Sequence, residues 1–315
     1  MITFYVGSRA SALARQQVRE FLAPLCDAHP GVKFVHRPLL ESGDKDRTSR
    51  LAAVSATSGG SAFSTNQETA LLAGEVDLIV HSLKDLPTAN PDGLILLPPP
   101  PREDARDALC GGTLTDLPEG ATVGTGAARR IAQLLAVRPD LTPVPIRGNV
   151  PPRLGKIRAR GGTLDSVILA AAGLRRLGLD DAIGELLPLE TFPPSAGQGA
   201  LGIQVREDNP AIREVLAGTG CADTWVQVLA ERAMLAELHG GCSVPVGTWA
   251  TTPGGGVLTL LGQVTTLDGS RQITATASGT VTDPEGLGRT VAADLLSQGV
   301  EEILAQIRPT AQVGC

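Results

Sequence analysis

An aspartate and a lysine stand together directly after an apolar run, at the place where a strand would end. The run covers residues 76–80, and residues 81–85 then read HSLKD, which ends in Lys84 and Asp85. Open α/β sheets place their ligand-binding loops at the carboxyl ends of strands. A carboxylate there can act as a general acid or base or stabilise a developing cation, and the lysine can bind an anion. A solvated Lys-Asp turn is the alternative.

Four arginines stand near predicted helix starts and strand ends in the middle of the chain. Arg129 and Arg130 follow VGTG at 123–126, Arg147 follows the next predicted strand, and Arg153 comes one helical turn later. Helix N-termini attract anions, and guanidinium groups bind carboxylate or phosphate with two parallel hydrogen bonds. The pattern predicts an anion-binding rim of a crevice, and ordinary surface arginines are the alternative.

One cysteine stands in a segment that could expose its sulfur. Cys242 follows two glycines in HGGCSVP at 239–245, and glycine permits close backbone approach. A thiolate there could bond to a carbon electrophile, although a buried, inert cysteine fits the residues equally well. The five cysteines are scattered and contain no CxxC pair, which argues against a disulfide framework and a structural zinc site.

The remaining motifs exclude several common chemistries. GQGALG at 197–202 matches GxGxxG, but it follows a proline-rich loop and leads into a strand, whereas the dinucleotide fingerprint opens a helix. There is no GxxxxGK[ST], HExxH or GxSxG segment, and the four histidines show no metal-ligand spacing. We therefore expect no metal, no P-loop chemistry and no NAD.

Strands alternate with helices over the first two thirds of the chain, which predicts α/β domains. Proline-rich segments at 97–101 and 192–199 suggest two domain crossings, and from about residue 220 one strong helix precedes three strands. The predicted boundaries are 1–98 with 200–218 for the first α/β domain, 99–199 for the second, and 219–315 for a small C-terminal α+β domain. Predicted helices include 151–160 and a single final helix at 286–306.

Composition limits the possible partners. The chain has 315 residues, 42% of them hydrophobic, and a net charge of -6, which disfavours a general nucleic-acid binder. No window approaches the roughly 18 to 20 apolar residues of a membrane span, and the first residues lack the pattern of a signal peptide. We expect a cytoplasmic protein without nucleic-acid or membrane partners.

Taken jointly, these segments resemble the porphobilinogen deaminase (hydroxymethylbilane synthase) family over nearly the whole chain. No single segment is specific for this family, but the order and spacing of the segments together are. The segments are VHSLKDLP at 80–87, REDARD at 102–107, VGTGAARR at 123–130, RGNV at 147–150, ILAAAGLRRLG at 168–178, GQGA at 197–200, and AERAM at 230–234 with GGC at 240–242.

The resemblance implies a fold and a reaction. It implies two similar α/β domains like type II periplasmic binding proteins, plus a small C-terminal α+β domain that carries a cofactor. It also implies that four porphobilinogen units condense head to tail with loss of ammonia, giving linear hydroxymethylbilane for heme biosynthesis. The primer would be a dipyrromethane, held by a thioether on Cys242, and the enzyme would be a monomer.

The resemblance also implies roles for individual residues. Asp85 would be the catalytic aspartate, stabilising the azafulvene-like cation that forms when ammonia leaves, and Lys84 would assist it. The residues that match positions for binding cofactor or substrate carboxylates are Arg9, Ser11, Lys84, Arg129, Arg130, Arg147, Arg153 and Arg176. A lid is expected over 43–64, with Gly59, Gly60, Ser61 and Phe63 as its candidate residues.

The chain departs from the family pattern in two places. The loop at 59–63 reads GGSAF without the lysine that many relatives have there, and Thr125 is followed by Gly126 and Ala127 where relatives carry two serines. Backbone N–H groups at the helix start could replace those hydroxyls. Because of these losses, a non-catalytic anion-binding module or a degenerate paralogue stays open beside the active transferase.

The covalent primer predicts a measurable mass. The denatured intact protein should exceed its sequence mass by a two-pyrrole adduct, and the Cys242→Ser variant should not. If both masses are bare, the wild type is incubated with porphobilinogen or hydroxymethylbilane. A chain that still stays unmodified would favour the binding module.

Overall fold

A computed structural model describes residues 2–40, 64–238 and 244–306. Cys242 and the expected lid residues Gly59, Gly60, Ser61 and Phe63 lie outside the described residues. The described part folds around three sheets, two of them five-stranded and one three-stranded. No helix of the described part is both long and apolar enough to cross a membrane.

The first sheet is built from both ends of the α/β region. Its strands are β1 (Ile2–Arg9), β2 (Val32–Leu39), β3 (Leu78–Ser82), β4 (Leu94–Leu97) and β10 (Leu201–Arg206), in the order β2-β1-β3-β10-β4. Strands β1, β2 and β3 run parallel, whereas β10 is antiparallel to both its neighbours. The strand that returns at residue 201 therefore lies inside the first sheet.

Helices cover both faces of this sheet because β3 is apolar on both sides. Leu78 and Val80 pack against helix α1 (Ala12–Ala28), and Ile79 packs on the opposite face with helix α2 (Thr65–Leu72). Side chains alternate between the faces of a strand. The next two residues therefore continue this alternation, with His81 on the α2 side and Ser82 on the α1 side.

The second sheet repeats this arrangement. Its strands are β5 (Asp107–Cys110), β6 (Thr122–Gly124), β7 (Thr142–Val144), β8 (Ser166–Ala170) and β9 (Ile183–Leu186), in the order β7-β6-β8-β5-β9. The helices beside it are α3 (Ala128–Val137), α4 (Val150–Leu154) and α5 (Ala171–Arg176). As in the first sheet, one antiparallel strand lies next to the third strand. Both sheets therefore have the same strand arrangement, as expected for two similar α/β domains.

The C-terminal part is a separate α+β unit. After helix α6 (Pro210–Val215), helix α7 (Ala222–Glu237) leads to an antiparallel meander of β11 (Val246–Gly254), β12 (Val257–Thr265) and β13 (Gln272–Thr280). One hydrophobic core joins α7, this meander, α8 (Pro284–Ser297) and α9 (Val300–Ala305). The predicted fold class is thus confirmed.

Two predicted helices are shorter than expected. The predicted final helix 286–306 is two helices, because Gly299 between α8 and α9 has φ +87°, a left-handed conformation that an α-helix cannot contain. The predicted helix 151–160 ends at Leu154, and only a 3₁₀ turn at Arg158–Arg160 follows. A glycine interrupts each predicted helix, Gly155 in the first and Gly299 in the last.

Two neighbouring chain crossings connect the α/β sheets. The first crossing covers 98–106 and the second 193–200, and the Glu103 N–H donates to the Gly199 carbonyl at 3.3 Å. Arg102 in the first crossing donates from Nη1 and Nη2 to Glu231 on α7 at 2.7 and 3.1 Å. Glu231 also accepts from the N–H groups of Gly197 and Ala250. One buried carboxylate therefore joins both crossings to the C-terminal unit.

This junction predicts a large loss of stability on truncation. Glu231→Ala leaves the Arg102 guanidinium buried without its carboxylate, which we expect to cost about 3 to 5 kcal/mol. Glu302→Ala is the matched control, because its pair with Arg271 is largely exposed and such pairs contribute no more than about 1 kcal/mol. Urea unfolding midpoints measure both, and equal losses in the two variants would contradict the assigned role of Glu231.

Candidate active site

The end of β3 places Asp85 at the carboxyl edge of the first sheet. A 3₁₀ turn, Leu83–Asp85, follows the strand, and the Asp85 side chain is 30% exposed. Arg9 ends the neighbouring parallel strand β1, and its Nη1 lies 3.7 Å from Asp85 Oδ2. Parallel strands end at the same edge of a sheet, which is why these two residues meet. The site therefore contains an accessible carboxylate beside a guanidinium.

Side-chain amides hold the end of β3 on both faces. On the α1 side, Gln17 Nε2 donates to Ser82 Oγ at 2.9 Å. On the α2 side, the ring of His81 lies 3.1 Å from the Gln204 amide oxygen, and Gln204 donates to Glu68 at 3.1 Å. Burial lowers the pKa of His81 to about 4, so its ring is neutral at pH 7. The turn that carries Asp85 thus begins from a fixed strand end.

Lys84 lies beside the second crossing. Its Nζ donates to the Gln198 amide oxygen at 3.1 Å. Burial, followed by repulsion from Arg130, lowers the pKa of Lys84 to about 8, although Asp85 and Asp107 act in the opposite direction. Lys84 is therefore still mainly cationic at pH 7, but it loses its proton more easily than an exposed lysine.

Arg129 and Arg130 form a buried cluster with Asp107. Arg129 Nη1 lies 2.7 Å from Asp107 Oδ2, and Arg130 Nη2 lies 2.7 Å from Oδ1. The Asp107 side chain is fully buried, and the two arginines hold the pKa of its carboxyl well below the usual range against the opposing effect of burial. Two guanidinium groups face one carboxylate, so the cluster carries a net positive charge.

Two further arginines approach the site from the second sheet. Arg147 lies in the loop after β7, and Arg153 lies on α4, with its Nε donating to the Gly148 carbonyl at 2.6 Å. Burial, then repulsion from Arg130, lowers the pKa of Arg153 to about 10, and Arg147 and Arg9 act in the same direction. Charges on both sheets therefore influence Arg153, which indicates that the cations of the two units lie near one another.

Two of the predicted carboxylate-binding residues have partners elsewhere. The Ser11 hydroxyl caps α1 by accepting from the Ala14 N–H at 3.2 Å, and it stands two residues from Arg9. Arg176 on α5 donates to Glu20 on α1 at 2.9 Å and to the Gly199 carbonyl at 3.0 Å. Arg176 thus spans the two α/β units in this structure rather than joining the cations near Asp85.

The start of α3 shows how the chain manages without the two serines. The Ala127 cap makes no side-chain bond, whereas the Thr125 hydroxyl accepts from the Ala127 N–H at 3.4 Å. A Cβ on residue 126 would lie 2.6 Å from the Ile146 carbonyl, so any side chain there would require the backbone to shift. Gly126 is therefore part of a local packing arrangement that excludes serine.

Sequence reasoning gave no role to two residues that organise this site. Asp107 begins an apolar strand and Gln198 lies inside the GxGxxG-like segment, where neither residue type suggests a partner. In the structure Arg130 Nη2 donates to Asp107 Oδ1 at 2.7 Å and to Gln198 Oε1 at 3.5 Å, and Gln198 Nε2 donates to Asp107 Oδ1 at 2.9 Å. A lone acid opening a buried strand was the one available signal, since a buried carboxylate needs a cation.

The site can attract carboxylates and stabilise a cation at the same place. Guanidinium and ammonium groups from both sheets surround one accessible acid, which suits a substrate that carries several carboxylates and develops positive charge. Among the described residues, no group of three His, Cys, Asp or Glu side chains could hold a metal ion.

Comparison with known proteins agrees with this chemistry. Family models described as "Porphobilinogen deaminase, dipyromethane cofactor binding domain" and "Porphobilinogen deaminase, C-terminal domain" match residues 4–214 and 225–297. The chain belongs to the porphobilinogen deaminase family. The family assignment confirms the predicted activity, which is that of hydroxymethylbilane synthase, a transferase of tetrapyrrole biosynthesis with a dipyrromethane cofactor.

Named relatives cover almost the whole chain. The porphobilinogen deaminase of Geobacter metallireducens is 45% identical over 304 residues, which are 96% of this chain and 94% of the relative. That of Moorella thermoacetica is 42% identical over 311 residues, covering 98% and 97%. A solved structure, the alkanesulfonate-binding protein SsuA from Xanthomonas axonopodis pv. citri bound to MOPS, matches with a TM-score of 0.35 and 15% identity over 75% of each chain.

The buried cluster predicts a pH-dependent loss of stability. Asp107→Asn leaves two buried arginines without their carboxylate, and we expect a cost of about 3 to 5 kcal/mol at pH 7. Because the folded-state pKa of Asp107 lies below its ordinary value of 3.8, the wild type holds this stability fully above about pH 5 and loses it as the pH falls below about 4. The difference in urea midpoint should therefore shrink from pH 5 to pH 3. A difference that is independent of pH would contradict the ionised cluster.

Proposed function

We propose that Asp85 is the catalytic residue of this synthase and that the cations around it bind the carboxylates of its substrate. The observation that carries this proposal is the position of Asp85, which is accessible at a strand end with Arg9 at 3.7 Å. Porphobilinogen has an acetate, a propionate and an aminomethyl group. Its reaction therefore needs anion binding and cation stabilisation in the same cleft.

The carboxylate of Asp85 suits the step in which ammonia leaves. Departure of ammonia from the aminomethyl group creates an azafulvene-like cation on porphobilinogen, and a nearby carboxylate lowers the energy of that cation. The same oxygens can accept hydrogen bonds from pyrrole N–H groups and hold them in register. Arg9 orients the carboxylate, because its guanidinium is the neighbouring cation at the same sheet edge.

The carboxylates of the growing chain would be held by side chains on both sheets. Arg9 and Ser11 contribute from the first sheet, Lys84 stands between the sheets, and Arg147 and Arg153 contribute from the second. Arg129 and Arg130 would act through the net positive charge that they keep after pairing with Asp107. Arg176 would bind a substrate carboxylate in place of Glu20, whose side chain is 43% exposed.

The described residues fit a carboxylate-bearing dipyrromethane. We propose that Arg9, Lys84, Arg147 and Arg153 hold its carboxylates and that Cys242 carries it through a thioether. When bound, the group supplies the free pyrrole carbon to which the first substrate unit is added. Cys242 is proposed on the family resemblance and on the glycines before it.

We also propose the larger organisation of the molecule. Domain boundaries at 1–98 with 200–218, at 99–199 and at 219–315 are supported by the separate sheets, because β10 lies in the first sheet and β11 begins the third. Porphobilinogen is the substrate. A monomeric state and a cytoplasmic location are supported by the family resemblance and by the composition.

The role of Asp85 predicts a specific loss of activity. Asp85→Asn and Asp85→Ala should keep the fold and reduce porphobilinogen-dependent ammonia release by about 10² to 10⁴-fold, the usual range for a lost acid or base. Asp208→Asn is the matched control, because its carboxylate is 82% exposed and pairs with Arg206 away from the site. Near-normal turnover in either Asp85 variant, with circular dichroism unchanged, would overturn the assignment.

A further inference from the structure

The side-chain amide of Gln198 has a single possible orientation. Gln198 is fully buried, and its Nε2 donates to the Ala105 carbonyl at 2.7 Å and to Asp107 Oδ1 at 2.9 Å. Turning the amide over would place its oxygen against these two acceptors, which have no hydrogen to give. The oxygen Oε1 therefore points to Lys84, whose Nζ lies 3.1 Å away.

The backbone of Gln198 is fixed as firmly as its amide. Its carbonyl accepts from Arg102 Nε at 2.7 Å. Gly197 and Gly199 on either side have φ +71° and +90°, and a Cβ on them would lie 2.8 Å from Leu83 Cγ and 2.2 Å from the Glu103 carbonyl. Only glycine therefore fits at positions 197 and 199 of the second crossing. The backbone that carries the Gln198 amide is held in one place beside Lys84.

We propose that Gln198 is a positioning residue for Lys84. Its amide, oriented by Asp107 and Ala105, holds the lysine ammonium with a neutral acceptor and separates it from the Asp107 carboxylate. The inference rests on the proposed function, in which Lys84 binds substrate or cofactor carboxylates. A lysine that formed an ion pair with Asp107 would have to give up that carboxylate before binding another.

The charges that face Lys84 make the amide oxygen important. Arg130 and Arg129 disfavour the ammonium form, whereas Asp85 and Asp107 favour it, and burial is the largest effect against it. The hydrogen bond to Gln198 Oε1 favours the charged form, because a carbonyl oxygen accepts a stronger hydrogen bond from an ammonium than from a neutral amine. Removing this acceptor should lower the pKa of Lys84 further.

Competitive trace acetylation can measure this pKa directly. The chain has four lysines, which are Lys33, Lys45, Lys84 and Lys156, and peptide mass spectrometry separates them. Lys33 and Lys156 are exposed and serve as internal references. Acetic anhydride at trace level labels each amine in proportion to its unprotonated fraction, so the holoenzyme can be titrated without turnover and without full modification.

The test compares Gln198→Met with a matched variant. Methionine fills the volume of glutamine without an acceptor, and we expect the pKa of Lys84 to fall by about one unit, the effect of losing one hydrogen bond to a charged group. Gln263→Met is the control, because Gln263 is a buried amide on β12 of the C-terminal unit, where it accepts from Gln133 at 2.8 Å. An unchanged or raised pKa of Lys84 in Gln198→Met would overturn the proposal.

Two further measurements cover other outcomes. If Gln198→Met does not fold, Gln198→Asn keeps a buried amide that is one methylene too short for Lys84, and the same fall is expected. In the wild type, the same titration gives the Lys84 pKa from which this fall is measured.

Activity then separates this proposal from the proposed function. The alkaline limb of porphobilinogen consumption should move to lower pH together with the Lys84 pKa in Gln198→Met. If the labelled pKa falls while the pH profile of activity does not move, Gln198 positions Lys84 but Lys84 has no charged role in the reaction. If the pKa does not fall, the positioning role is wrong, whatever the activity.

Discussion

The buried carboxylate of Asp107 is the constraint on which the active cleft depends. It holds both guanidinium groups at the start of α3 and the amide of Gln198 in the second crossing. Taking three charges out of water is costly unless their geometry is nearly ideal, and Asp107 satisfies both arginines at 2.7 Å. The second sheet is thereby attached to the crossing that leads back to Lys84 and Asp85. Fold and site share a single set of hydrogen bonds.

The same arrangement explains the electrostatics of the cleft. Asp107 neutralises one of its two arginines, and the remaining positive charge, together with burial, lowers the pKa of both Lys84 and Arg153. Bound carboxylates reduce the electrostatic repulsion among such partly buried cations. Each added pyrrole unit brings an acetate and a propionate, so under the proposed function its carboxylates would reduce the repulsion among these cations and contribute to the affinity for the substrate.

The sequence predicts the alternation of strands and helices well, because apolar periodicity is local and survives in every packing environment. It also places Lys84 and Asp85 at a strand end, where the structure has them. The partners of Asp107 could not be predicted, because Arg129 lies 22 residues away and the pair is made by sheet order. For the same reason the sequence suggests surface-facing roles for Arg129 and Arg130, whereas their side chains are buried.

The place of β10 in the first sheet has a consequence for synthesis of the chain. Residues 201–206 pair with both β3 and β4, so the first sheet lacks its fourth strand until the ribosome has passed residue 206. The second sheet is by then fully translated, with its entry and exit joined by the hydrogen bond between Glu103 and Gly199. The α/β unit that starts the chain is therefore completed after the one inserted into it, and its unpaired strand edges are exposed in the meantime.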